Sequence, residues 1–340
     1  MKIQRYIALI ALVVVVCTSC KNSLNVQAPY KDVTVVYGLM DQNDPVHYIR
    51  INKGFEGNGD AYSMAKQYDS IYYPVGIITA VLEDSNPTTE AIVNTITLDT
   101  TTTVPLNPGI FSYPKQLLYY TNATLNPNDY YNLILTNTKT GKRLHGVTPL
   151  LSDVTFTDLP YLPNPRGTFY LASSPAATQI NWTSSPNVRI YQMTLLFYYD
   201  NQVGAGPRVL QSPLELVFAQ QTAPNLTGAA MMSYNLTCQQ LFSLILSTLQ
   251  PESGVARYAD SLGIIFTSGT DDLNTYVQLS QPPSGINQDI PSFSDVTNGV
   301  GLYTARHVQT FYQMIDPATL DSISSEPRFT NGTNGLGFQP

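Results

Sequence analysis

Alternating apolar and polar positions along most of the chain predict β-strands. The alternation is regular at residues 48–53 and again at residues 130–135. A two-residue period of this kind is typical of strands that bury one face. Residues 139–142 contain Thr and Gly and predict a turn after the second of these strands. The hairpin closed by this turn ends at Pro149, which predicts a first β-sandwich domain over residues 33–149.

A cluster of prolines follows the first predicted domain. They crowd the next stretch at Pro149, Pro160, Pro163 and Pro165. Because proline lacks an N–H and has a fixed φ, their density predicts a linker over residues 150–166. Residues 167–340 return to strand patterning, including a predicted strand at 275–279, while residues 236–250 have helical spacing. The predicted fold class is therefore mainly β, with two tandem β-sandwich domains and a helix inserted in the second.

The N-terminal residues have the pattern of a signal peptide. Lys2 and Arg5 supply positive charge, and an apolar run follows over residues 7–16. A run of about ten apolar residues suits a signal peptide and is too short to span a bilayer. We therefore predict a lipoprotein signal peptide over residues 1–19. The alternatives are an ordinary secretory signal and a retained transmembrane anchor.

Cys20 is the predicted point of lipid attachment. Thr18 and Ser19 place small side chains directly before it, as cleavage by a lipoprotein signal peptidase requires. Acylation adds several hydrocarbon chains, and about two already anchor a protein stably. Residues 20–32 include the lipidated cysteine and a polar stretch without a sustained period, which predicts a tether.

The amino-acid composition of the chain argues against some classes of function. The chain has 17 basic and 24 acidic residues, and loss of Lys2 and Arg5 with the signal peptide changes its formal charge from −7 to −9. An acidic chain without basic runs argues against nucleic acid as a partner and against electrostatic docking on anionic lipid. Of the three cysteines, only Cys238 stays unmodified in the mature chain. We predict no intramolecular disulfide and a buried, apolar role for Cys238.

No catalytic or metal-binding constellation stands out. The histidines, His47, His145 and His307, have no zinc-like spacing, although their convergence in space stays open. Six scattered glutamates neither favour nor exclude a glycosidase pair. Residues 41–44 and 271–274 collect oxygen ligands that suit calcium, but turn formation by Asp and Asn explains them better. We predict no enzymatic activity, no catalytic residue, no metal and no cofactor.

Tyrosines occur in adjacent pairs at residues 72–73, 119–120, 130–131 and 198–199. Neighbouring strand residues face opposite sides, so each pair predicts one ring in the core and one at the surface. Exposed tyrosine suits protein interfaces and stacking on sugars, although tyrosine also fits any half-buried sheet. We predict that Trp182, the single tryptophan, is a core anchor between two sheets.

Three stretches resemble a largely uncharacterised family of outer-membrane lipoproteins of Bacteroidota. They are the opening Val35-Val36-Tyr37-Gly38-Leu39-Met40-Asp41, the hairpin containing Leu125, Pro127 and Tyr130, and residues 293–301. The resemblance implies immunoglobulin- or fibronectin-III-like domains and a lipid-anchored place in the outer membrane. Surface-exported members often carry acidic residues after the lipidated cysteine, whereas residues 21–23 here are Lys-Asn-Ser. The resemblance therefore leaves open whether the protein faces the periplasm or the exterior.

The same resemblance implies candidate O-glycosylation. These bacteria modify Asp-Ser/Thr triplets that end in an apolar residue or Thr. Four triplets fit, and they place the candidate hydroxyls on Ser70, Thr100, Ser261 and Ser322.

Three functions are consistent with the sequence. The leading hypothesis is a non-enzymatic outer-membrane lipoprotein that binds a protein partner, as an accessory subunit of a transport, secretion or barrel-insertion assembly. The first alternative is a glycan-binding lipoprotein for nutrient capture, which predicts a row of exposed aromatic side chains. The second alternative is a hydrolase, which requires a cleft where histidine and carboxylates converge.

The lipid anchor gives the first testable prediction. In the Cys20→Ser variant we expect the acyl chains to be lost and the protein to leave the membrane fraction, because no other stretch of the sequence approaches the length of a membrane span. Mass spectrometry of the mature N-terminus and membrane fractionation measure both effects. An unmodified Cys20 thiol in the wild-type protein would contradict the prediction.

Overall fold

The structure is a computed structural model that describes residues 33–54, 60–112, 114–157, 168–169, 178–281, 293–327, 329–330 and 335–340. Strands account for 45% and helices for 14% of the described residues, which confirms the prediction of a mainly β fold. Val33–Pro340 form one compact unit. The predicted signal peptide at 1–19 and the tether at 20–32 lie outside the described residues.

The strands of the described residues are β1 (Thr34–Met40), β2 (His47–Lys53), β3 (Ile78–Ser85), β4 (Ile92–Thr97), β5 (Asp99–Thr101), β6 (Leu118–Thr121), β7 (Tyr130–Asn137), β8 (Arg143–Pro149), β9 (Thr155–Phe156), β10 (Thr168–Phe169), β11 (Thr178–Thr183), β12 (Ile190–Val203), β13 (Arg208–Leu210), β14 (Leu214–Val217), β15 (Gln221–Thr222), β16 (Met231–Leu236), β17 (Val255–Gly269) and β18 (Val300–Ile315). The helices are α1 (Ala61–Ala65), α2 (Tyr68–Ile71), α3 (Cys238–Thr248), α4 (Asp271–Leu279) and α5 (Pro317–Ser325).

These strands form three sheets. The largest has the order β13-β12-β17-β18-β1-β2-β6-β5, with β10 beside β18 and with β14 and β15 beside β12. A second sheet has the order β4-β3-β7-β8, and a third the order β16-β11-β9. Neighbouring strands are antiparallel except where β1 and β10 pair with β18. The hairpin predicted at residues 130–149 is the β7–β8 pair, and Gly141 in its turn has φ 70.

The largest sheet joins the two predicted domains. The first part of β18, Val300–Ala305, pairs with β1, and its later part, Arg306–Met314, pairs with β17. Separate sandwiches over 33–149 and 167–340 are therefore not confirmed, because strands from both ranges share one hydrogen-bonded sheet. Within the predicted linker, β9 pairs with β11, and residues 158–166 lie outside the described part of the chain.

One hydrophobic core connects the sheets. Val36 and Ile51 of the largest sheet belong to the same buried cluster as Leu82 and Leu133 of the four-stranded sheet. Trp182 is completely buried in this cluster, and its ring centroid lies 4.9 Å from that of Phe266. The prediction that Trp182 is a core anchor is confirmed.

The inserted helix was predicted correctly, but the other four helices of the described residues, α1, α2, α4 and α5, were not predicted. Helix α3 lies within residues 236–250, and Thr237 caps it through a reciprocal hydrogen-bond pair with Gln240. The predicted strand at 275–279 is wrong, because these residues belong to α4. The side chain of Thr270 accepts the Leu273 N–H at 3.2 Å and starts that helix. The acidic stretch at 271–274 is therefore a first helical turn, where negative charge is favourable.

The C-terminal segment is part of the core. The Arg257 N–H donates to the Gly337 carbonyl at 2.8 Å, and the Gln339 N–H donates to the Arg257 carbonyl at 2.8 Å. The buried Arg257 guanidinium also donates to the Leu336 carbonyl. These contacts hold Phe338 in the interior, where 1% of it is exposed.

This packing gives a prediction about stability. We expect Phe338→Ala to lower the free energy of unfolding by about 3–5 kcal/mol, because it leaves a cavity in the core. The exposed Phe111 provides a matched control, and Phe111→Ala should change stability by less than about 0.5 kcal/mol. Urea denaturation of the two variants measures the difference. Equal effects would show that the C-terminal segment does not contribute to the core.

Candidate functional site

An exposed group of tyrosines lies on the outer face of β1, β2 and β6. We call it the tyrosine face, and it consists of Tyr37, Leu39, Tyr48, Arg50 and Tyr120. Tyr37 is the cross-strand partner of Arg50, and Tyr48 is the partner of Tyr120, so these side chains share one side of the sheet. Tyr37 is 45% exposed and Tyr48 is 39% exposed, although the opposite face of the same strands is core.

Arg50 gives this face a fixed positive charge. Its guanidinium donates to the side-chain oxygen of Gln116 at 2.5 Å, and Gln116 in turn donates to the Val104 carbonyl at 3.3 Å. In the described part of the chain, no carboxylate lies within ion-pair distance of Arg50. Partial burial raises the pKa of Tyr37, and Arg50 opposes that rise. The face therefore combines phenol groups with one oriented cation.

The predicted division of the tyrosine pairs is confirmed in three cases. Tyr119, Tyr131 and Tyr199 are buried, while their neighbours Tyr120, Tyr130 and Tyr198 are half-buried. The prediction is wrong for Tyr72 and Tyr73, which are both buried. These two residues follow the short helix α2 and do not lie in a strand, so their side chains need not alternate.

A second polar site surrounds His307, which is 1% exposed. Its Nδ1 lies 3.1 Å from a carboxylate oxygen of Asp41, and its Nε2 lies 2.6 Å from a carboxylate oxygen of Asp153. Asp41 also accepts the N–H groups of Asn43 and Val308, both at 3.0 Å. The imidazole thus connects the end of β1, the segment after β8 and the middle of β18.

The electrostatics of this site follow from these contacts. Burial favours a neutral imidazole, but the hydrogen bonds to Asp41 and Asp153 outweigh it and raise the pKa of His307. Burial likewise opposes ionisation of Asp41, yet the hydrogen bonds from His307 and the Asn43 N–H hold its pKa below the ordinary value. Because both ring nitrogens face carboxylates, His307 has no nitrogen directed at a nucleophile. The arrangement suits a structural cross-link.

The three histidines, whose convergence in space the sequence left open, do not form a metal site in the described residues. His47 is buried with its pKa lowered mainly by burial, and His145 is exposed on β8. No group of three His, Cys, Asp or Glu side chains in the described ranges is arranged to hold a metal ion. The carboxylates at His307 bind opposite ring nitrogens and so do not converge on one point.

The candidate modification sites are spread over the fold. Cys20 lies outside the described residues. Ser70 is half-buried in α2, and Thr100 is exposed in the edge strand β5. The Ser261 hydroxyl donates to its neighbour Asp260 at 2.7 Å, and the Ser322 hydroxyl donates to the Ala318 carbonyl within α5 at 2.8 Å. Cys238, predicted to be buried, is half-buried at the start of α3, and burial raises its thiol pKa.

No family model matches the sequence, and no curated protein matches it. The arrangement of side chains is therefore the basis for a functional interpretation.

The raised pKa of His307 predicts a pH dependence of stability. The pKa of His307 in the folded state lies above its ordinary value of 6.5, so protonation of this side chain stabilises the fold. The stabilisation is complete below pH 6.5 and is lost as the pH rises through the folded-state pKa. We expect the free energy of unfolding to fall more steeply as the pH rises above 6.5 in the wild type than in His307→Gln. Chemical denaturation across this range tests the difference, and identical pH profiles would contradict it.

Proposed function

We propose that this protein is a non-enzymatic lipoprotein of the outer membrane that binds a protein partner through the tyrosine face. It would act as an accessory subunit of an outer-membrane assembly for transport, secretion or barrel insertion. The observation that supports the proposal is the grouping of the exposed Tyr37 and Tyr48 with the half-buried Tyr120 around Arg50 on one face of a sheet.

The residue types on the tyrosine face are those typical of the centre of a protein–protein interface. Tyrosine and arginine are enriched among residues that dominate binding energy, because they combine large contact area with hydrogen-bonding groups. The tyrosines lie on paired strands, and Gln116 holds the Arg50 guanidinium. Little conformational entropy is therefore lost when a partner covers the face.

The geometry favours a protein over a glycan at this face. The rings of Tyr48 and Tyr120 are 6.1 Å apart and tilted by 37°, so they pack partly against each other. A platform for several sugar rings needs free aromatic faces aligned with the saccharide. Adjacent tilted tyrosines instead suit a contoured protein surface.

An immunoglobulin-like sandwich within residues 33–149 is part of the proposal. The Tyr131 hydroxyl accepts the Asn126 N–H at 2.7 Å, close to the start of β7. A tyrosine that binds the backbone a few residues upstream in this way is a recurring corner of immunoglobulin-like domains. The shared core of the four-stranded sheet with β1 and β2 also supports it.

Membrane attachment is proposed through acylated Cys20. Among the described residues, no helix has both the length and the apolar character needed to cross a bilayer. The compact unit begins at Val33, so residues 20–32 would connect the lipid to the fold.

Affinity purification tests the proposed partner. We expect full-length protein from detergent-solubilised membranes to retain a partner. Tyr48→Ser combined with Arg50→Ala should weaken binding of that partner at least about 30-fold, because the loss of a single central interface residue worth about 2 kcal/mol already has this effect. Tyr62→Ser is the matched control, because Tyr62 is an exposed tyrosine in α1, outside the face. Recovery of the wild-type chain alone under gentle conditions would count against the proposal.

A further inference from the structure

A cleft of about 400 Å³ lies on the four-stranded sheet, where β3 ends and β7 begins. We call it the polar cleft, and the residues lining it include Ser85, Asn86, Glu90, Tyr130, Asn132 and Val147. Its volume falls within the range of small-molecule sites, about 300–1,000 Å³. It belongs to a different sheet from the tyrosine face.

The loop at one side of the cleft is fixed by Asn86. The Asn86 N–H donates to the Ala91 carbonyl at 3.0 Å, and the Asn86 carbonyl accepts the Glu90 N–H at 2.9 Å. The side-chain oxygen of Asn86 accepts the N–H groups of Thr88 and Thr89 at 2.9 and 3.0 Å. The wall of the cleft that carries Glu90 is therefore preformed.

Glu90 occupies a backbone conformation that disfavours a side chain. Its φ is 56, in the left-handed region where glycine is least strained. In the described part of the chain its carboxylate has no ion-pair partner. The fold thus holds an acceptor group at the cleft at a cost in backbone energy.

The opposite wall supplies an aromatic ring and an amide. The Asn132 amide N–H groups donate to the Ser85 hydroxyl at 2.9 Å and to the Glu83 carbonyl at 3.3 Å, which orients its oxygen as a further acceptor. Tyr130 is half-buried, and its hydroxyl donates to the Asn187 side chain at 3.4 Å. Val147, the cross-strand partner of Asn132, extends the apolar surface beside the ring.

We propose that the polar cleft binds a neutral saccharide. Sugar hydroxyls donate and accept hydrogen bonds and so match the Glu90 carboxylate and the amides of Asn86 and Asn132. The C–H face of the sugar packs on the Tyr130 ring and Val147. A simple cation would use the Glu90 carboxylate and the Asn132 oxygen and would leave the Tyr130 ring and Val147 without a role. This inference does not rest on the proposed protein partner, because the two sites share no residue.

Saturation-transfer NMR tests the proposal on the full-length protein in a detergent without a sugar headgroup. The probes are glucose, galactose, mannose and N-acetylglucosamine. We expect at least one to bind, with binding weakened at least about tenfold in Glu90→Gly and reduced less in Glu90→Gln, which keeps hydrogen-bonding capacity. Because glycine relieves the strain, Glu90→Gly should melt at the same or a higher temperature than the wild type.

The control variants distinguish a loss of sugar binding from an effect on stability and from an effect of charge alone. Ala229→Gly changes another left-handed residue, φ 64, and should leave sugar binding unchanged. The proposal is overturned if none of the four sugars binds, or if Glu90→Gly retains full binding. It is also overturned if Glu90→Gln loses binding as completely as Glu90→Gly, since the cleft would then recognise positive charge.

Discussion

The parallel pairing of β1 with β18 is the contact on which the rest of the structure depends. It requires glycine at position 301, where a Cβ atom would lie 1.9 Å from the Val36 carbonyl oxygen. Two residues later in β18, the Tyr303 ring lies between Gly38 of β1 and Gly146 of β8, and a side chain at either glycine would meet it within about 3 Å. The same strand therefore completes the largest sheet and packs against the four-stranded sheet.

Local patterns predicted the parts of this fold that local interactions determine. The alternation at 48–53 and 130–135 became β2 and β7, and the helical spacing after Thr237 became α3. Helix α4 was missed because the β-branched and aromatic residues at 275–279 favour a strand locally, and the cap at Thr270 that starts the helix was not recognised in the sequence. The β1–β18 pairing could not be predicted, since hydrophobic alternation specifies which face of a strand is buried and not which strand lies beside it.

In the functional surfaces, too, local sequence predicts some features, whereas long-range strand pairing determines the others. Paired tyrosines indicated that one ring of each pair would be exposed, but only strand register brings Tyr48 beside Tyr120 and Tyr37 beside Arg50. The contact of His307 with Asp41 spans 266 residues of sequence, and no local signal connects them. Glu90 carried no sequence signal either, because its role depends on a left-handed backbone and on β7 across the cleft. The tyrosine face and the polar cleft thus occupy different sheets that share one core.

The position of β18 near the end of the chain has a consequence for the order of folding. Its first residues pair with β1 from the opposite end of the fold, across a separation of 265 residues at Val35 and Val300. Contacts of such high sequence separation form slowly, because a long loop must close before they are gained. The largest sheet can be completed only when β18, which lies near the end of the chain, reaches β1. Until then β1 keeps one unpaired edge, which is a template for pairing with another chain.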